Sequence, residues 1–144
     1  MSNVTLAQAS TIVDTALAKA RELKLNPLTV VVLDAGGYPV ALKREDNSAL
    51  MRHMVAHAKA WGVLGMGEGG RKLRGRAQNN PAFFGVLTEL AGGNIVPNPG
   101  GVLLRDGDNR IVGSVGISGD SGENDEVCAV AGIEAAGLTA DTGG

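Results

Sequence analysis

The spacing of apolar residues divides the chain into amphipathic helices and buried strands. After Thr5, a suitable N-cap, apolar side chains recur every three or four residues to about Lys24, which predicts a first helix. The segment LTVVVLDA (28–35) is almost continuously apolar and β-branched, and this predicts a strand covered on both faces. A turn, GGYP, and a second strand, VALKRE, follow at the spacing of a β-hairpin.

From Ser48 onward the pattern is helical at first and returns to strands later. Ser48 is a suitable cap for a helix over 49–66, and GMGEGG ends it. RKLRGRAQNN is interpreted as a polar segment, and Pro81 suits the first turn of a short helix, PAFFGVLTELA. GVLLRDGDNRIVGSVGIS predicts a strand, a turn at DGDN and another strand. Residues 123–138 form the last predicted helix, and the tail TADTGG is predicted to be loose.

These elements give the order α-β-β-α-α-β-β-α. Because the strands come in hairpins rather than in β-α-β units, the fold class is α/β of the α+β type, with an antiparallel sheet packed against helices. The chain has 144 residues, no internal repeat and no linker, so we expect a single domain over 1–144.

The stretch GSVGISGDSGENDEVCAVAG (113–132) carries the most informative pattern. Alternation along the preceding strand divides its side chains into two faces: Ile111, Gly113, Val115 and Ile117 on one, and Val112, Ser114, Gly116 and Ser118 on the other. The second face is small and polar, so it permits the close approach of a helix, a neighbouring subunit or a flat ligand. The loop then enters a helix, whose free N–H groups can be capped by Ser121 or Asp120 or can attract an anion.

Composition and charge restrict the classes of partner. Hydrophobic residues make up 44% of the chain and aromatic residues 3%, so the core must be aliphatic. A net charge of -2 argues against a nucleic-acid surface, and the basic stretch GGRKLRGR is interpreted as a solvated helix face. Cys128 is the single cysteine, which excludes an intrachain disulfide. The sequence has no signal-peptide pattern and no apolar run of transmembrane length, so we expect a soluble cytoplasmic protein without membrane or nucleic-acid partners.

Three stretches together resemble the GlcG/HbpS family, which also occurs as the C-terminal domain of PduO-type proteins: VVLDAGGYPVALKRED, PNPGGVLLRDGDNRIVGSVGISGDSGENDE and CAVAGIEAAGL. No single piece is specific, but their order and spacing are. The resemblance implies a sandwich of helices on a five-stranded antiparallel sheet, related to profilin-like and PAS-like architectures. It also implies homo-oligomers, often octamers, and haem binding for several members.

Haem requires an axial ligand and an apolar slot, and two histidines could supply the ligand. His53 and His57 are four residues apart, so on a helix their imidazoles share one face, where they could bind haem or a metal ion. Two partly exposed helix histidines without a ligand are the alternative. We expect His57 to be the preferred haem ligand, because its small alanine neighbours let a porphyrin approach the helix backbone. His53 is the second choice, and Arg52 beside it could pair with a propionate. The small strand end, with Gly116, Ser118 and Gly119, completes the predicted cofactor site.

Two further sites are open at this point. Glu123 and Glu126 have the Glu-x-x-Glu spacing that resembles the iron-binding pairs of the family, although acids at a helix N-terminus are ordinarily dipole partners. The alternative function is an enzyme of a catabolic pathway that acts on a small organic acid where DAGG, PNPGG and GISGD meet. Its candidate catalytic residues are Asp34 or Asp120 as the base and Arg44 or Arg105 as the carboxylate partner.

The last helix, CAVAGIEAAG, consists almost entirely of small residues. Gly132 and Ala136 permit very close packing, either onto the sheet or across an interface between subunits. Together with the family resemblance, this helix predicts self-association.

Overall fold

A computed structural model describes residues 3–144, so residues 1–2 of the predicted 1–144 domain lie outside it. In chain order the helices are α1 (Leu6–Glu22), α2 (Arg52–Met66), α3 (Gly70–Asn79), α4 (Pro81–Leu90) and α5 (Gly122–Ala135). The strands are β1 (Thr29–Asp34), β2 (Pro39–Arg44), β3 (Gly101–Arg105), β4 (Ile111–Ser118) and β5 (Thr139–Asp141).

The strands form one antiparallel sheet in the order β2-β1-β4-β3-β5. At its centre β1 pairs with β4 from Thr29 opposite Ser118 to Asp34 opposite Gly113. This register places the N-terminal end of β1 and the C-terminal end of β4 at the same end of the sheet. The predicted five-stranded antiparallel sheet is confirmed.

Helices cover both faces of the sheet. Helices α1 and α5 contact each other on one face, where the main aliphatic core includes Ile12, Val30, Ile117 and Ile133. Helix α2 crosses the other face over β1, β3 and β4. Helices α3 and α4 extend that second layer, around a smaller core that contains Leu73 and Phe84.

Strand β5 is absent from the sequence prediction, and α3 is given there only as the solvated helix face GGRKLRGR, without its bounds. Helix α3 corresponds to the segment interpreted as polar. It buries Leu73, and its Arg71 and Arg74 form ion pairs with α5. Two glycines and one large apolar residue give a weak helical signal. Strand β5 has three residues and pairs with β3 at the edge of the sheet, so its stability depends on a neighbour distant in sequence. The predicted loose tail is therefore wrong over 139–141.

The predicted caps are confirmed at two helices and wrong at a third. Thr5 and Gln8 form a reciprocal capping box at α1, and the backbone N–H of Asn124 donates to Ser121 Oγ at α5. Ser48 does not cap α2, which begins three residues later than predicted, after Met51. Instead the Ser48 hydroxyl lies 2.9 Å from Thr29 Oγ1 in a buried hydrogen bond.

A β-bulge changes the predicted faces of β4. Leu104 pairs with Gly113 and Arg105 with Ile111, which leaves Val112 as the extra residue. Ile111 consequently packs on the α2 side, not with Val115 and Ile117 as the alternation predicts.

Candidate functional site

An apolar cleft containing both histidines lies beside α2. Its volume is about 390 Å³, which is within the range of small-molecule sites, roughly 300–1,000 Å³. Three elements form it: Leu42 comes from β2, His53, Met54, His57 and Ala58 from α2, and Gly92, Gly93 and Asn94 from the loop after α4. The structure therefore brings the two predicted haem ligands to one site.

The packing of α2 explains why the histidines line this cleft. Ala56, Ala60 and Val63 are fully buried against the sheet and the smaller core. Residues at helical spacing on another side of the same helix, His53, Met54 and His57, are left on the cleft surface. His57 is half-buried and His53 is exposed, so His57 lies deeper. The preference for His57 stays a prediction: of its neighbouring alanines, Ala58 lines the cleft, while Ala56 and Ala60 face the sheet.

The wall opposite α2 was not found by sequence analysis. Gly92 and Gly93 have φ of 65° and 86°, in the left-handed region that glycine adopts at no steric cost. A Cβ built on either glycine would meet no heavy atom within 4 Å, so bare backbone faces open space. GGN was visible in the sequence as a loop, but nothing there indicated that it returns to α2.

The small residues of β4 do not line this cleft. A Cβ at Gly116 would collide with the carbonyl oxygen of Ala56, and one at Gly119 would collide with the carbonyl oxygen of Pro27. Ser118 is buried, and Arg52 Nη1 donates to its Oγ over 3.3 Å. The small face of β4 thus receives helix α2, one of the three possibilities that its pattern allowed. Roles for Gly116, Ser118, Gly119 and Arg52 in cofactor binding stay predictions.

A buried ion pair joins α2, β4 and α5 beneath the same helix. Lys59 Nζ donates to the carbonyl oxygen of Ile117 at 2.9 Å and to Asp125 Oδ2 at 3.2 Å. Burial lowers the pKa of Lys59, and the negative charge of Asp125 opposes that effect. Burial raises the pKa of Asp125 to about 6, with Lys59 opposing. A lone lysine in the apolar run AHAKAWG was the available signal for this pair.

The acidic residues predicted to bind iron are occupied by arginines of α3. Arg71 Nε donates to both carboxylate oxygens of Glu126 at 2.9 Å, and Arg74 Nη1 donates to Glu123 Oε1 at 2.7 Å. The hydrogen bond from Arg74 lowers the pKa of Glu123. Over residues 3–144, no group of three or more histidine, cysteine, aspartate or glutamate side chains is arranged to hold a metal ion. Iron binding by Glu123 and Glu126 stays a prediction.

The four candidate catalytic residues are dispersed over the molecule. Asp34 Oδ1 accepts the N–H groups of Gly36 and Tyr38, which closes the hairpin turn. DAGG is therefore at the opposite end of β1 from GISGD, although PNPGG does reach the start of α5, where Gly122 adjoins Asn98.

The carboxylate of Asp120 is also used by the fold. It accepts hydrogen bonds from the Asn124 side chain and from the N–H groups of Asn26 and Ser121, which lower its pKa. Arg105 Nε donates to Asp141 Oδ2, and Arg44 is exposed on β2. Among the described residues no ion pair joins Asp34 or Asp120 to Arg44 or Arg105. A catalytic role for these four residues stays a prediction.

A comparison with protein families agrees with the resemblance seen in the sequence. The family model described as "Haem degrading protein HbpS-like" matches residues 4–134. The chain belongs to the HbpS-like family.

Curated and solved relatives of this HbpS-like chain extend the comparison. The corrinoid adenosyltransferase PduO of Salmonella typhimurium is 31% identical over 110 residues, covering 76% of this chain and 32% of PduO. The chain thus spans about a third of the length of that relative. The structure titled as a PduOC:heme complex has a TM-score of 0.86 at 27% identity, covering 95% of this chain and 97% of that one.

A second solved structure, at lower sequence identity, is evidence for the fold only. HbpS has a TM-score of 0.79 at 21% identity, with coverage of 93% of this chain and 90% of that one. In the described part of the HbpS-like chain, no helix combines the length and the apolarity that crossing a bilayer requires.

Proposed function

We propose that this chain binds haem in the α2 cleft, with His57 as the first axial ligand and His53 as the second choice. The observation that carries the proposal is the pair of imidazoles in an apolar cleft whose opposite wall is bare glycine backbone. Imidazole is a common axial ligand of haem iron, and an apolar wall suits the porphyrin faces. Ligand type, lining and open backbone all fit a flat, largely apolar molecule.

The relatives support the same ligand. The family description names haem, and one similar structure is titled as a complex with it. The PduO relative is about three times as long as the matched region, so its adenosyltransferase activity is not part of our proposal.

Different residues of the chain would bind different parts of haem. His57 offers a nitrogen at a half-buried position, while Leu42 and Met54 offer apolar contact at the mouth of the cleft. Arg52, one residue before His53, is the predicted partner of a propionate. When bound, haem would supply an iron centre that takes up ligands or electrons; the chain itself determines its access and orientation.

A haemin titration of the purified protein, followed at the Soret band, tests this proposal. We expect a sharp Soret transition that saturates near one haemin per chain. His57→Ala should abolish or blue-shift the band, and His53→Ala should have a smaller effect. Ser10→Ala, on the exposed side of α1 in the opposite layer, is the matched control and should bind as the parent does.

The double variant His53→Ala/His57→Ala decides the outcome. If it keeps the parent's Soret band, histidine ligation is wrong. A time course of the bound spectrum also reports whether haem is consumed, the activity that the family description names.

The remaining expectations about partners stay proposals. Self-association draws support from the exposed apolar residues of α4. The enzyme acting on a small organic acid stays the second candidate, because Asp34, Asp120 and Arg105 are engaged in hydrogen bonds within the fold. A cytoplasmic location is likewise a prediction.

A further inference from the structure

We propose that His53 and His57 form a chelating site for a divalent late transition metal, with Cu²⁺ bound most strongly. This inference does not rest on haem binding, because it uses the two imidazoles alone. Neither imidazole takes part in a hydrogen bond or an ion pair with the residues that the structure describes, so both ring nitrogens of each are available.

The spacing of the two residues suits chelation. Both lie inside the regular helix α2, four residues apart, and both line the same cleft. Residues at this spacing have Cβ atoms roughly 5–6 Å apart, and two histidines at i and i+4 on one helix face are an established arrangement for binding Zn²⁺. The helix is held by its alanine face against the sheet, so the pair is positioned before a metal arrives.

The surroundings determine which metal is bound. The cleft contains two imidazoles, the amide of Asn94 and, within the described residues, no carboxylate. Calcium and magnesium require several oxygen ligands, whereas imidazole suits copper, zinc and nickel. Affinity among the divalent ions rises to Cu²⁺ and falls at Zn²⁺, which gives the order that we expect. Water would complete the coordination, because one side of the cleft is open.

Calorimetric titration of untagged, haem-free protein with CuCl₂ and ZnCl₂ tests the site. We expect one Cu²⁺ per chain, tighter than Zn²⁺, with nitrogen hyperfine structure in the copper paramagnetic resonance spectrum. Even outer-shell partners are worth roughly 10- to 100-fold in metal affinity, so loss of a ligand in His53→Ala or His57→Ala should weaken Cu²⁺ binding at least about tenfold.

A matched double variant, Met51→His/His53→Ala, keeps two histidines but places them six residues apart. Such residues do not share a helix face, so this variant should bind like the single-histidine protein. Circular dichroism of each variant verifies that α2 is folded. If the six-residue variant or the double alanine variant binds Cu²⁺ as the parent does, the site is wrong. Failure of haem binding alone would leave this result unchanged, so the two proposals fail separately.

Discussion

At the scale of single residues, glycine positions decide how closely the layers of this molecule approach. Gly116 lies in β4 directly under α2, and any side chain there would collide with the carbonyl oxygen of Ala56. Gly75 lies within α3, where a Cβ would meet no atom within 4 Å. The same substitution therefore has opposite expected effects at the two positions.

We expect Gly116→Ala to lower the free energy of unfolding by roughly 1–3 kcal/mol or more, because overpacking forces the backbones of β4 and α2 apart. Gly75→Ala is the matched control. Alanine is favoured over glycine inside a helix by up to about 1 kcal/mol, so this variant should be as stable as the parent or more stable. Urea denaturation measures both, and equal stability of the two variants would contradict the close contact.

The residue scale also shows what the sequence could and could not reveal. The alternation of β4 indicated a small face, and its use for a helix was among the stated possibilities. The spacing of the two histidines predicted that their imidazoles share one helix face, and the family resemblance supplied haem as their expected ligand. The place of Gly92 and Gly93 in the cleft was not predicted, because it depends on where a loop distant in sequence returns. For the same reason, the sequence did not reveal that Glu126 forms an ion pair with Arg71, which lies 55 residues earlier.

At the scale of elements, a buried ion pair fastens α2 to the start of α5. Lys59 is 3% exposed and Asp125 is fully buried, and Gly100 leaves room for the ammonium group. A Cβ at Gly100 would lie 2.8 Å from Lys59 Nζ. The pair also makes stability depend on pH, because burial raises the pKa of Asp125 from 3.8 to about 6.

Between about pH 4 and pH 6 the folded state keeps a proton on Asp125 that the unfolded chain has released. Unfolding free energy should therefore fall as pH rises through this window, by about 3 kcal/mol for a shift of roughly two pH units. Asp125→Asn removes this titration. Denaturation of both proteins at several pH values should show the stability difference, parent minus variant, decreasing from pH 4 to pH 7. A constant difference would contradict the raised pKa.

Elements with strong local signals were the ones that sequence analysis found. Helix α1 has a capping box and a clear apolar stripe, and β1 is a continuous β-branched run. Helix α3 is attached through the single buried Leu73 and through ion pairs to α5, and β5 is attached through hydrogen bonds to β3. Neither element therefore shows a strong period of its own. Weak periodicity marks elements that depend on tertiary contacts.

At the scale of the whole molecule, the apolar surface that could join two copies lies on α4 rather than α5. The small residues of α5 are explained internally, since Cys128, Ala129 and Gly132 pack against α1 and the core. On α4, Phe83, Val86 and Leu90 follow a helical spacing and are 50%, 54% and 80% exposed. An apolar stripe of this kind is typical of a surface that another protein covers.

We expect light scattering to give the parent protein several times the 14.6 kDa mass of one chain. Val86→Glu should shift the mass toward the monomer, because a charge in an apolar contact is costly to bury. Val127→Glu is the matched control, since Val127 is 45% exposed on α5, in the opposite layer. A monomeric parent, or equal masses for both variants, would contradict an α4 interface.

The two edges of the sheet carry a consequence for how this protein behaves when concentrated. Strand β2 begins with Pro39, which has no N–H to donate, and it is bulged and ends in Lys43 and Arg44. At the other edge β5 offers three residues of backbone. Short, charged or irregular edges give an incoming strand little to pair with. Concentrated samples should accordingly stay free of cross-β fibres, even though α4 leaves large apolar side chains in contact with water.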